Sequence, residues 1–178
     1  ALPVLKVSSL CALSSAMSHR MCQKLLQEVH VWSKLDHKNV IKLLGVTTAF
    51  DHTISIVSPL MSWNVYDYVQ DPDVDPRSLV CCMCILGIAN GLHYLHMHQE
   101  GRIIHGDIKG HNVLVSNNGH VLLGNFGFSR FAEESFHPAV KQLSGGTLNW
   151  MAPEYFAMEK FKMTAPGDVW AFGMTALV

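Results

Sequence analysis

Two apolar stretches, RII (Arg102–Ile104) and NVLV (Asn112–Val115), enclose the polar segment HGDIKGHN, and an Asn118-Gly119 pair then leads into a third apolar run, HVLL. Asn-Gly between apolar runs marks a two-residue hairpin, because both residues tolerate the positive φ that such a turn demands. The polar segment is therefore a loop carried between short strands, which hold polar groups rigidly. Asp107, Lys109 and Asn112 sit on it at intervals of two and three residues.

Upstream, PVLKV (residues 3–7) reads as a short strand, followed by a Ser-rich connection. Met21, Leu25, Val29, Trp32 and Leu35 then recur at spacings of three and four, one apolar stripe of a helix. Asp36 to Asn39 interrupt the stripe, and VIKLLGV and ISIVS read as two strands joined through a turn at Asp51 and His52. After DPDVDP the pattern changes: Asp75 suits a helix cap, Pro76 suits the first helical position, and an apolar helix runs to about His98. Residues 124–153 show no clear period, and so long an irregular stretch inside a compact domain points to a functional loop. Asp168 is expected to cap a last helix, VWAFGMTALV. A sheet-rich first third and a helix-rich remainder make the fold class α+β.

The chain has 178 residues, which at roughly 100–200 residues per domain allows one domain or an incomplete larger one. Its 13 Lys and Arg nearly cancel 14 Asp and Glu, leaving no bulk positive field for nucleic-acid phosphates or an anionic membrane surface. Apolar residues reach 49% and charged ones 15%, against about 25% charged in typical domains; global disorder is excluded. Five cysteines (Cys11, Cys22, Cys81, Cys82, Cys84) are an odd number in a chain too large to need staples, and read as reduced cytoplasmic thiols. The longest run without a polar side chain, Leu79 to Ala89, falls short of the roughly 18 residues that span a bilayer. CCMC and the histidines His93, His96 and His98 lack paired CxxC spacing and share one helix, so they read as buried thiols and a polar helix end rather than a zinc site.

Chemically, a carboxylate to take a hydroxyl proton (Asp107), an ammonium to offset charge on a moving phosphate (Lys109) and an amide oxygen to ligate a cation (Asn112) suit phosphoryl transfer. Taken alone, the loop is equally a solvated turn. It is accompanied, in chain order, by VLKV with Lys6, LLQEV with Glu28, GGTLNWMAPE with Thr147 and Glu154, and DVWAFG with Asp168. Together these segments resemble the eukaryotic protein kinase family: its strand lysine, helix glutamate, catalytic loop, activation-segment end and central helix.

The resemblance implies a bilobal fold, with a sheet-rich lobe at 1–58, a hinge at 59–63 and a helical lobe at 64–178. ATP with magnesium would lie between the lobes, and a protein substrate or signalling partner would bind alongside. Lys6 would pair with Glu28 and hold the α and β phosphates, the plainer alternative being two unrelated surface charges. Ser58 falls at the gatekeeper position, with the carbonyl of Pro59 and the amides of Leu60 or Met61 facing adenine; Pro59 offers an acceptor but no donor. Leu114 is counted with these nucleotide-binding residues. Leu43, Trp32, Phe126 and His105 match the apolar column that joins the lobes and rests on Asp168, a reading compatible with plain core packing. Lys109 two residues after Asp107, and Thr147 after a Gly pair, look Ser/Thr-specific, whereas WSKLDHKNVIKLLGV and WMAPE are tyrosine-kinase-like in style.

Three departures from the family pattern bear on activity. Its Asp-Phe-Gly reads Asn125-Phe126-Gly127 here, so the chief metal carboxylate is replaced by a neutral amide, and magnesium binding is expected to be weakened or lost. Loss of one preorganised electrostatic group costs about 3–4 kcal/mol in a transition state, a factor of roughly 10²–10³. The Gly-rich strand pair that covers the phosphates precedes the strand lysine in the family, and five residues precede Lys6 in this sequence; further helices would follow Val178. A partial domain is the expectation. In addition, Gly106 stands where many kinases have Arg, so a phosphate on Ser135 or Ser144 would lack its usual cationic partner. Two functions remain open: a Ser/Thr kinase using Asp107 as base, or a pseudokinase that binds without turnover, the latter favoured for the chain as it stands.

Overall fold

The computed structural model describes residues 5–12, 19–50, 53–73, 79–132, 147–157 and 162–177; for 5–12, 19–21, 50, 53, 79–83, 147 and 157 it describes the backbone alone. In chain order the elements are β1 (Leu5–Ala12), α1 (His19–Trp32), β2 (Gly45–Phe50), β3 (Thr53–Pro59), β4 (Trp63–Asn64), α2 (Val65–Tyr68), α3 (Leu79–His96) and β5 (Ile103–Ile104). They continue with β6 (Val113–Val115), β7 (Val121–Leu123), β8 (Arg130–Phe131), α4 (Glu154–Ala157) and α5 (Ala165–Leu177), with 3₁₀ turns at Gly110–Asn112 and Thr147–Trp150.

The first sheet is antiparallel in the order β1-β3-β2. Its register sets Lys6 opposite Ser58, so the two residues lie side by side in the backbone. β1 runs on through Ser8 and Ser9, where a Ser-rich connection was expected, because pairing with the whole of β3 supplies its backbone hydrogen bonds. VIKLLGV, expected as one strand, divides. Val40 forms an isolated parallel bridge to Leu123, and the ladder with β3 begins at Gly45. The physical reason is competition for backbone groups: the N–H of Ile41 donates to Leu123 O at 2.9 Å, that of Leu123 to Asn39 O at 2.8 Å, and the Trp32 indole to Ile41 O at 2.7 Å. These bonds fasten the end of α1 to β7.

The second sheet, β4-β6-β7, is the frame of the polar loop. Its β6–β7 hairpin is closed by the Ser116 N–H on His120 O (2.9 Å), but its loop has three residues, 117–119, instead of the expected two: the Gly119 N–H donates to Ser116 O (2.9 Å), and of the Asn118-Gly119 pair only Gly119, at φ 75°, is left-handed. α3 lies close to β7 because Gly87 and Gly91, one turn apart, present no side chains there: a Cβ on Gly91 would stand 2.8 Å from Leu123 Cδ1. β5 pairs with β8, so the stretch 124–153 is not wholly irregular as expected from its lack of period; two residues suffice for a bridge but not for a readable alternation. The Asp51-His52 turn and the Asp75-Pro76 cap lie outside the described residues. The core is continuous from Leu25, Val31 and Trp32 of α1 through Ile41 and Phe126 to Ile88, Leu92 and Leu95 of α3.

Candidate active site

Burial organises the polar loop. Asp107 and Asn112 are buried, and Lys109 is half-buried. The 3₁₀ turn Gly110–Asn112 folds Asn112 back onto Asp107, its amide donating to both the Asp107 backbone oxygen and Oδ2 at 2.7 Å. Lys109 Nζ approaches the same carboxylate at 2.9 Å to Oδ2 and 3.2 Å to Oδ1. A buried carboxylate is thus met by the lysine ammonium and an amide N–H, which fix its orientation.

The loop rests on α5 through Asp168. This residue lies inside the first turn of α5 rather than capping it as the sequence suggested, since the helix starts at Ala165 and the Asp168 N–H already bonds back to Thr164 O. Its buried carboxylate instead accepts the backbone N–H groups of His105 and Gly106, each at 2.8 Å, and meets His96 Nε2 at 2.9 Å. His105 is fully enclosed. Its Nε2 faces Gly124 O at 3.1 Å and its Nδ1 accepts the Asp107 N–H at 3.3 Å, an arrangement that requires the neutral ring protonated on Nε2. Burial holds its pKa below the usual histidine value, partly opposed by Asp168 and Asp107. The aromatic column continues upward, with Phe126 5.3 Å from both His105 and Trp32 by ring centroids. Leu43 is half-buried against the same core.

Asn125 projects toward the loop from the opposite side. Its backbone is left-handed, φ 64°, a conformation asparagine and aspartate adopt more readily than other side-chain-bearing residues. Its amide donates to Asn112 Oδ1 at 3.0 Å. The oxygen expected to ligate a cation therefore faces an N–H, and no carboxylate stands at position 125. This donor set does not fit a magnesium ion, which prefers anionic oxygen.

Glu28 is half-buried, with its carboxylate beside Gly127: a Cβ built there would lie 3.4 Å from Oε2. Burial pushes its pKa upward, and among the described residues no cation pairs with it. The Lys6 side chain lies outside the described residues, as do the Thr147 side chain, Ser135 and Ser144. In the segment expected to form the hinge, Ser58 is buried, Pro59 ends β3, Leu60 is exposed and Met61 packs on the core. Leu114 lies across from Gly124, whose absent side chain leaves room for Leu114 Cδ1. Glu154 is exposed at the start of α4.

Several contributors were not singled out from sequence. His96 was read as part of a polar helix end, yet its spacing of four from Leu92 places it on the buried face. Ser129 donates to His105 O at 3.0 Å, and Arg130, buried beneath the loop, donates to Met163 O at 3.3 Å. Gly106, at φ 80°, has its side-chain space filled by Met163, whose sulfur would lie 2.4 Å from a Cβ. An arginine there could not be seated without moving Met163.

Comparison with known proteins agrees with this geometry. The family model for protein tyrosine and serine/threonine kinases matches residues 9–177. Similar proteins of Arabidopsis thaliana include serine/threonine-protein kinase-like protein CCR4, 30% identical over 169 residues (92% of this chain, 22% of that protein). Proline-rich receptor-like protein kinase PERK10 is 32% identical over 154 residues (84% and 19%). Calmodulin-binding receptor-like cytoplasmic kinase 3 is 29% identical over 153 residues (83% and 29%). The chain thus spans less than a third of the length of these relatives. Because that family model matches nearly the whole chain, the chain belongs to the protein tyrosine and serine/threonine kinase family.

Proposed function

We propose that this domain binds ATP between a lobe at 1–58 and a lobe at 64–178, joined by the hinge 59–63, and that its transfer of the γ-phosphoryl group to protein Ser or Thr hydroxyls is strongly impaired. Asp107 is the base for the acceptor hydroxyl, and Lys109 offsets charge on the phosphoryl group. Lys6 and Glu28 serve the phosphates, and Pro59, Met61 and Leu114 border the adenine. The Asn125–Asn112 hydrogen bond carries the reading of impairment, because it occupies with an N–H the oxygen that a cation needs. A domain of this kind acts as a binding or scaffolding module in signalling. The pairing of Lys109 with Asp107 supports Ser/Thr over Tyr acceptors, and the style of WSKLDHKNVIKLLGV supports the tyrosine-kinase-like group. An odd number of cysteines, five in a chain too large to need staples, supports a reducing, cytoplasmic setting; among the described residues no helix is long and apolar enough to cross a membrane.

The test offers radiolabelled ATP and magnesium to the full-length protein with peptides bearing Ser, Thr or Tyr. Slow labelling on Ser or Thr, at least about 10²-fold below an intact family member, is expected. Labelling at the ordinary rate contradicts the impairment, and labelling on Tyr alone contradicts the acceptor assignment.

A further inference from the structure

The segment leaving the hinge is bound to the polar loop and its strand by contacts that do not touch Asp107. Trp63 and Asn64 pair with Val115 and Leu114. Asn64 caps α2, accepting the Asp67 N–H at 2.9 Å and donating to the Asp67 carboxylate at 2.6 Å. This fixes Tyr66, whose ring stacks on that of His111 with centroids 4.1 Å apart and planes inclined by 20°. The backbones meet as well: a Cβ on Gly110 would lie 3.2 Å from both the N and Cα of Tyr66 and 3.0 Å from its Cβ. Gly110 and His111 are the two residues between Lys109 and Asn112, the two groups that hold the Asp107 carboxylate.

We propose that Tyr66 is a positioning residue for the catalytic loop. By stacking on His111 and abutting Gly110 it sets the turn Gly110–Asn112, keeps Lys109 and Asn112 on Asp107, and couples that group to the hinge. The stack uses the ring of Tyr66, so phenylalanine can replace it; the close approach needs glycine at 110, so alanine cannot. The coupling to the hinge, though not the setting of the turn, rests on the nucleotide-binding reading above.

Amide hydrogen exchange in the full-length protein tests this. The Asn112 N–H donates to Lys109 O and the Gly124 N–H to Asn112 O, both at 2.9 Å. Tyr66→Ala is expected to speed exchange at these two amides by about tenfold or more without changing α3, while Tyr66→Phe stays within about twofold of the unaltered protein. Should Tyr66→Ala loosen α3 as well, Gly110→Ala decides, since it keeps both rings and disturbs the contact alone; it is expected to loosen the same two amides. ATP is then added: it should slow exchange at Asn112 in the unaltered protein and in Tyr66→Phe, and not in Tyr66→Ala. Unchanged exchange in both Tyr66→Ala and Gly110→Ala overturns the proposal. Absence of any ATP effect in the unaltered protein counts against the nucleotide reading and the coupling, while the ATP-free rates still decide the role of Tyr66.

Discussion

The side-chain amide of Asn125 donates to Oδ1 of Asn112 across 3.0 Å, joining the two positions from which a kinase would grip a cation. An aspartate at 125 has no hydrogen to donate, so its carboxylate and Asn112 Oδ1 would face each other as two acceptors and favour a cation between them. Asn125→Asp is therefore expected to raise magnesium-dependent phosphorylation of a Ser/Thr peptide by the full-length protein at least about tenfold. No gain in a folded variant would place the limiting defect elsewhere.

Asp168 takes three donors with one buried carboxylate. Asp168→Ala leaves the His105 N–H without an acceptor in the interior and is expected to cost about 3–5 kcal/mol in urea unfolding, as for other broken buried charge networks. Asp168→Asn, which keeps an acceptor oxygen, should cost clearly less. Equal costs would mean that charge, not hydrogen bonding, holds the loop to α5.

The burial of His105 makes stability depend on pH in a definite sense. Its pKa in the folded protein is lowered from 6.5, so below that pH the unfolded chain takes up a proton that the folded one refuses. The contribution is complete above 6.5 and is lost as pH falls toward the folded pKa. His37, also lowered by burial, acts in the same direction. Glu28, raised above 4.5 by burial, acts oppositely: its contribution is complete below 4.5 and is lost as pH rises through its folded pKa. His105→Phe should flatten the loss of stability below 6.5 while lowering stability at pH 8 by about 1–3 kcal/mol, because Gly124 O loses its partner. An unchanged slope in the variant would assign the pH dependence to other groups.

Two helical glycines should respond to alanine with opposite signs. At Gly91 the new methyl would lie 2.8 Å from Leu123 Cδ1 and 2.9 Å from the backbone oxygen of Asn39. Overpacking of about 1–3 kcal/mol exceeds the gain of about 1 kcal/mol in helix propensity, so a net loss is expected. At Gly173 nothing among the described residues lies within 4 Å of where a Cβ would stand, and alanine should stabilise by about 0.5–1 kcal/mol. Thermal melts of the two variants check the pair; a shift of the same sign in both would contradict the packing of α3 on β7.

The parts of the site that were legible in the sequence are those written in local spacing. Asp107, Lys109 and Asn112 converge because a single turn folds them together, and Asn118-Gly119 announces its own hairpin. Contacts between distant segments left little local trace. Nothing in the neighbourhood of Asp168 distinguishes a helix cap from an anchor for residues 105 and 106, since its partners lie more than sixty positions away. VIKLLGV shows strand composition throughout, and competition from β7 for its backbone, not its own residues, shortens the strand. The left-handed φ of Asn125 and the methionine that fills the space at Gly106 likewise belong to packing rather than to pattern.

The central claim, that this domain takes a nucleotide without gripping a divalent ion, is tested most directly by thermal melts of the full-length protein titrated with ATP, once with magnesium and once with EDTA. The account predicts the same rise in Tm in both series, since ligand that binds the folded state stabilises it in proportion to occupancy. A rise that occurs in magnesium and disappears in EDTA would contradict it.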